Sequence, residues 1–312
     1  MSIDTTGEHV DLMTPTPVTV SKPSRWRDPW RKPRVLFAIT WGYLAWSILP
    51  VIIAVIYSFN NGRSRSTWQG FSFRWWWGDP LNSLFHDPAL RSAIVQSIKL
   101  SFGTMIVAVP LGVLFAIGLD RWRGRPAAGA NFVMLLSFVM PEIILGVSMF
   151  YLFTFLYKFI PLGTPGQLFA LITFQVSYPV IVVRARLLSI PSDFEEAGMD
   201  LGATPTQAVR RILLPLLYPA IFASAALVFA DTIDDFVTVN YLSSGVDTQP
   251  LSVKIYSAAR ASPTPAVNAA ATFMLVTTLL AITLGVLVYR GMTRGQRKEG
   301  ESGAQSFVGI QI

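Results

Sequence analysis

Four carboxylates occur in this 312-residue chain where carboxylates are rare. Glu142 sits at the middle of a 31-residue apolar run, 127–157, directly after Pro141, and Asp231, Asp234 and Asp235 follow the apolar run 212–230 at once. An acid at the centre of a membrane helix costs roughly 2.5–3.5 kcal/mol to insert, so a retained one faces protein or a water-filled path. Pro141 removes a helical hydrogen bond, which predicts a kink or break at that point. A broken helix whose freed backbone groups line a cavity accounts for the acid, the proline and the length of the run together. The plainer alternative is a helix whose register slides until Glu142 reaches an interface. The three aspartates are spaced three and four apart, so on one helix they share a face and repel one another unless cations balance them. A Lys or Arg partner would balance them structurally, a cationic ligand functionally, and a solvated helix end would need neither. The chemistry open to such groups is charge-assisted hydrogen bonding to an ammonium.

Other chemistries are excluded by composition. There is no cysteine, so disulfides, thiolate metal sites and thiol nucleophiles are absent, and the two histidines, His9 and His86, lie outside the apolar runs. No G-x-x-x-x-G-K-[ST] loop is present, so the chain itself is not expected to hydrolyse ATP or to need a cofactor. Hydrophobic residues make up 52% and charged residues 14%, with a mean hydropathy of +0.48. That balance is too apolar for a soluble domain and points to an all-α, polytopic membrane protein. The net charge of +7 does not imply a nucleic-acid partner, because the basic residues cluster in short segments between apolar runs.

Six runs are long enough to span a bilayer core: 35–58, 100–119 with a helix beginning near Ile94, 127–157, 159–183, 212–230 and 261–289. Short segments that would all lie on one side hold 17 of the 25 basic residues, among them Arg121, Arg123, Arg125, Arg184, Arg186, Arg210, Arg211 and Arg290. By the positive-inside rule both termini are cytoplasmic. The first run is too long for a signal-peptide core, and 1–34 and 291–312 read as polar tails. The outer loop near 59–93 contains Trp68, Trp75, Trp76 and Trp77; they form an interfacial belt, or one ring faces a cationic ligand. Lys99 is explained by snorkelling.

On the cytoplasmic side, 191–215 reads as a capped helical hairpin. Ser192 with Glu195 has capping-box spacing, Gly202 stands where a glycine ends a helix, and Thr204, Pro205 and Gln207 repeat the start signal. Pro215 marks the return toward the membrane. Such specification is more than a connector needs and suggests a docking surface.

The hairpin resembles the cytoplasmic loop of ABC-importer permeases, in which E-A-A-x-x-x-G is followed at fixed distance by I-x-L-P. Here the positions are Glu196, Ala197, Gly198, Gly202, Ile212, Leu214 and Pro215; Gly198 departs from the usual Ala. Over about 71–290 the chain is more narrowly similar to permease subunits of spermidine/putrescine importers, on FSFRWW at 71–76, MPEI at 140–143, DTIDDF at 231–236 and PLSVKIYSAARASPTPAVNAAAT at 250–272. The resemblance implies a six-helix permease domain over 35–290 in a bacterial inner membrane, with 191–215 as its coupling hairpin. It implies a second related permease, two ATPase subunits that carry ATP and Mg, and an extracytoplasmic solute-binding protein as partners. It also implies a substrate path containing Trp75, Glu142, Thr232, Asp234 and Asp235. Iron or thiamine importers of the same superfamily are the alternative, and an intramembrane hydrolase built on the aspartates a remote one.

Overall fold

The computed structural model describes residues 34–64, 67–121, 125–261 and 264–308. Most of the expected N-terminal tail, the basic residues before Arg34, and Arg123 lie outside the described residues. The chain divides into two units, residues 1–50 and 51–312, each taken by itself. The described part of the first unit is one helical stretch, the beginning of α1 (Arg34–Tyr57), which carries Pro50 inside it.

Described residues of the second unit are almost all helical, with one isolated β-bridge between Asn60 and Phe71. Five helical segments among the described residues are long and apolar enough to cross a membrane, six if the pair bent at Met140 and Pro141 is counted as one span. After α1 come α2 (Pro88–Arg121), α3 (Arg125–Val139) and α4 (Glu142–Tyr151), the last extended by a π turn over Leu152–Leu156. Next are α5 (Thr164–Gln175) and α6 (Ser177–Leu187), which together make the fourth span, and the short α7 (Asp193–Asp200). α8 (Pro205–Ala208), a π turn at Val209–Leu213 and α9 (Leu214–Asp234) form one 30-residue rod. α10 (Val237–Leu242), α11 (Leu251–Ala261) and α12 (Pro265–Val308) complete the chain.

Several boundaries differ from the sequence reading: the second span begins at Pro88, ahead of Ile94, and the last at Pro265, after 261. The fourth span starts at Thr164 rather than 159, because Pro161 and the positive-φ Gly163 delay the helix. The fifth span begins at Pro205, well before 212. The last helix continues to Val308, so the segment expected as a tail from 291 is helical along most of its length.

α2, α6 and α9 pack around one apolar core of Val109, Val113, Val180, Val183, Leu213 and Leu217. In a bilayer, burial against lipid gives little drive for helix association, so close approach at small residues matters more. A Cβ on Gly112 would stand 2.7 Å from Pro179 Cβ, and one on Gly285 would stand 2.4 Å from Ala226 Cβ.

A buried amide network joins the helix ends. Gln96 Nε2 donates to Thr164 Oγ1 and to Gln167 Oε1, each at 2.9 Å. Gln167 Nε2 lies 3.1 Å from the Val239 carbonyl, 3.0 Å from Ser243 Oγ and 2.9 Å from the Thr248 carbonyl. In the loop before α2, the backbone N–H groups of Leu81 and Asn82, with help from Arg74, outweigh burial and pull Asp79 from 3.8 down to about 2.

Gln167→Leu keeps the volume but leaves one Gln96 N–H and the Thr248 carbonyl without their partner, while Gln96 keeps Thr164 and the Val239 carbonyl keeps Ser243 Oγ. Unmet buried polar groups cost about 1–3 kcal/mol each. A lowered thermal midpoint of the detergent-purified chain is expected, whereas Thr173→Ala, at an exposed hydroxyl bonded only to its own helix, leaves the midpoint near wild type.

Candidate functional site

The third span breaks where Pro141 predicts. α3 and α4 meet at 104° across Met140 and Pro141, so the polar backbone is released in the middle of the apolar run. Pro141 is extended, and Glu142 is the first residue of α4. Its carboxylate therefore faces the positive end of a helix dipole, a placement that stabilises negative charge.

A second break holds another acid. α9 ends at Asp234, Asp235 turns to φ −55° and ψ 125°, and α10 starts at Val237. The three aspartates therefore do not lie on one continuous helix face, as the spacing had suggested. Asp235 is 9% exposed. Its Oδ1 accepts the backbone N–H groups of Thr238 at 3.1 Å and Val239 at 3.3 Å, so it caps α10. Its backbone carbonyl accepts Ser252 Oγ at 2.6 Å.

α4 and α10 pack through Gly146, where a Cβ would stand 3.2 Å from Tyr241 Cδ2 and 3.3 Å from Thr238 Cα. That contact brings the two acid-bearing helix starts together: Asp235 lies in the electrostatic field of Glu142 and of Asp231. Tyr178 on α6 feels Asp231, Glu142 and Asp235 together. Asp231 also accepts Gln175 Nε2 at 2.6 Å. Asp234 is exposed, within reach of the Asp231 field, and accepts a long 3.4 Å contact from Thr278 Oγ1. Thr232 is buried, and its hydroxyl has no partner. Glu142, Asp231 and Asp235 thus converge from three helix ends, with Asp234 beside them.

Trp75 does not join them. It is 1% exposed and packs with Leu84, Leu90, Ala93 and Ile94, while its Nε1 donates to the Gly62 carbonyl at 3.2 Å. The Arg74 guanidinium lies 5.2 Å from its ring centre. The structure makes Trp75 a core anchor of the outer loop, contrary to the expectation of a ring open to ligand. Trp77 and Trp68 are the exposed rings of that loop.

The hairpin is formed only in part as expected. Gly202 has φ +91° and follows α7 with paired bonds, Gly202 N–H to Met199 O at 2.8 Å and Ala203 N–H to Gly198 O at 3.1 Å. This is the double bond pattern that closes a helix on a left-handed glycine. Thr204 and Gln207 make the full reciprocal cap, at 3.3 and 3.0 Å, with Pro205 at the first helical position. Ser192 makes no such cap: its backbone is already helical, so its hydroxyl makes no cap bond. The Glu195 carboxylate instead pairs with Arg121 at the end of α2. Nor is the second arm a separate helix ended by Pro215. The π turn, with Leu214 N–H bonded to Val209 O, makes room for the proline, and the rod continues to Asp234. Gly198 packs against Ile212, and a Cβ there would press on Ile212 Cδ1, the movable end of that side chain. Motif residues from both arms are thus in contact. Phe194, Met199 and Leu201 stand exposed on the first arm and the turn.

Sequence reasoning missed Gln96, Gln167, Gln175 and Tyr178. Their polar heads on apolar runs were the available signal, but the partners of the three glutamines lie 56–81 residues away in the chain.

Residues 108–298 match the family model described as "Binding-protein-dependent transport system inner membrane component". The chain is 34% identical over 246 residues to the spermidine/putrescine transport system permease protein PotC of Haemophilus influenzae, covering 79% of this chain and 93% of that protein. It is 35% identical over 257 residues to the putrescine transport system permease protein PotI of Escherichia coli, covering 80% and 86%. Among solved structures, a bacterial ABC transporter that imports alginate aligns with a TM-score of 0.64 at 17% identity, covering 83% of this chain and 96% of that one. The MetNI methionine ABC transporter aligns at 0.53 and 19%, covering 65% and 93%.

The burial of Trp75 separates packing from ligand contact. Trp75→Ala should reduce the yield of folded chain, by a core-truncation cost of about 3–5 kcal/mol. Trp77→Ala, at an exposed ring, should leave yield near wild type when both are quantified by size-exclusion chromatography.

Proposed function

This chain belongs to the family of binding-protein-dependent transport system inner membrane components, and from that premise we propose that its cargo is a polyamine cation of the spermidine/putrescine class. It is a membrane-spanning permease component of an ABC-type importer and is not itself an enzyme. The observation that carries the cargo is the convergence of Glu142, Asp231 and Asp235 around Tyr178, with Asp234 alongside. Among the described residues, no Lys or Arg forms an ion pair with these acids. Carboxylates set this close repel one another and raise the free energy of the empty path. An ammonium relieves that repulsion and makes charge-assisted hydrogen bonds to them. An anionic cargo would be repelled, so the anion importers of the superfamily fit poorly.

In this reading a solute-binding protein delivers the polyamine from outside, and a second, related permease completes the path. Two ATPase subunits on the cytoplasmic side bind ATP and Mg. The chain lies in the bacterial inner membrane with both termini in the cytoplasm, which puts the exposed apolar residues of α7 and the Arg210–Arg211 pair on the ATPase side. Glu196 and Gly202 set the shape of the hairpin, and Ile212 locks onto Gly198. Because α8 to α9 is a single rod, a push at Pro205 reaches Asp231 and Asp234 in the same helix, past the π turn and Pro219. ATP-driven closure of the ATPases is therefore converted into rigid displacement of the acids. The inside-negative potential favours entry by about 2.3 kcal/mol per charge per 100 mV, so ATP is needed for gating and release as well as for uphill work.

Cells lacking the gene should lose uptake of labelled spermidine or putrescine and regain it on complementation; unimpaired uptake, with loss of iron or thiamine uptake instead, would assign the cargo elsewhere. Asp234→Asn with Asp235→Asn should abolish uptake while the complex still assembles, because an Asn oxygen at 235 can still accept the α10 N–H bonds. Glu196→Lys should assemble but lose ligand-stimulated ATP hydrolysis.

A further inference from the structure

We propose that Gln175, Tyr178 and Asp231 form an additional subsite for a primary ammonium, apart from the carboxylates at the two helix breaks, which favours cations carrying a third amine. The inference rests on the polyamine reading and adds to it three residues outside the path that the family resemblance implies.

Gln175 ends α5, Tyr178 opens α6 and Asp231 lies in the last turn of α9. Gln175 is fully buried, at 0% exposure. Its Nε2 donates to Asp231 Oδ2 at 2.6 Å, yet its Oε1, equally buried, has no partner among the described residues. Leaving an amide oxygen buried and unbonded is costly, and most such oxygens in folded proteins are satisfied. The orphaned oxygen is bonded to the same carbon as the nitrogen that touches Asp231, so it stands within one amide's width of the carboxylate. Asp231 has further lone pairs to offer, and the Tyr178 hydroxyl is within its reach.

The three side chains together offer more acceptors than donors, so what fits is a group rich in N–H. A water molecule brings two donors and no charge. A primary ammonium brings three donors and a positive charge. Asp231 also lies within the fields of Asp234 and Asp235, and this surplus of negative charge decides for the cation. The nearby carboxylates at the helix breaks can take the other ammonium groups of an extended polyamine. A subsite added to them matters most to a substrate with an amine to spare, which makes triamine over diamine its natural preference.

The test uses the complete importer in proteoliposomes, namely this chain with its partner permease, ATPase subunits and binding protein, and labelled putrescine and spermidine as probes. The wild-type complex should take up both. Gln175→Leu and, independently, Gln175→Met should raise the spermidine KM about tenfold or more, the effect of one charge-assisted hydrogen bond, and change the putrescine KM far less. A spermidine-to-putrescine ratio unchanged in both variants would mean that the amide oxygen is met by water and would overturn the subsite. An equal loss for both amines would also overturn it, because that is the signature of a general structural role. No uptake of either amine by the wild-type complex would overturn the polyamine reading itself, and this inference with it, and is distinguishable because it needs no variant.

Discussion

Negative charge within an apolar chain must be placed where something positive meets it, and here that role falls to broken helices. Glu142 is the first residue of α4, and Asp235 caps α10 through two backbone N–H groups. In both places the helix ladder is interrupted, so a carboxylate stands at the positive end of a helix dipole. A break is tolerated at membrane depth only where it is buried in protein or lines a cavity. The acids and the breaks therefore depend on each other. Packing at Gly146 holds the two breaks side by side, and the repulsion that remains between their charges is what the proposed cationic cargo would relieve.

The rod from Pro205 to Asp234 ties this centre to the hairpin. Its lower end is fixed by the Thr204–Gln207 cap, by the Gly198–Ile212 contact and by the pairing of Glu195 with Arg121. Its upper end carries Asp231, Thr232 and Asp234. The π turn makes room for Pro215 at the start of α9, and the helix runs on past Pro219 to Asp234. The acids and the hairpin thus sit at opposite ends of one element.

Much of this was legible in the sequence, for local reasons. Pro141 beside an acid announced the break in the third span, and Thr204, Pro205 and Gln207 announced a helix start, because these signals act over four residues. Ser192 misled for the same reason: the spacing was right, but Arg121, 74 residues away, holds Glu195 and the serine backbone is helical. The break at Asp235 was not legible, since DTIDDF contains neither Pro nor Gly and reads as helix. The burial of Trp75 was hidden by three adjacent tryptophans whose alternation in exposure is set by the turn they form. The glutamine contacts depend on tertiary packing that no local pattern encodes.

The most direct measurement is a cryo-electron microscopy map of the complete importer, with spermidine, trapped between ATP binding and release. The account predicts elongated density in the permease pair, with ammonium positions within hydrogen-bond distance of Glu142 or Asp235 and close to Tyr178. Those carboxylates neutralised by Lys or Arg side chains of the partner permease, with spermidine elsewhere, would contradict it.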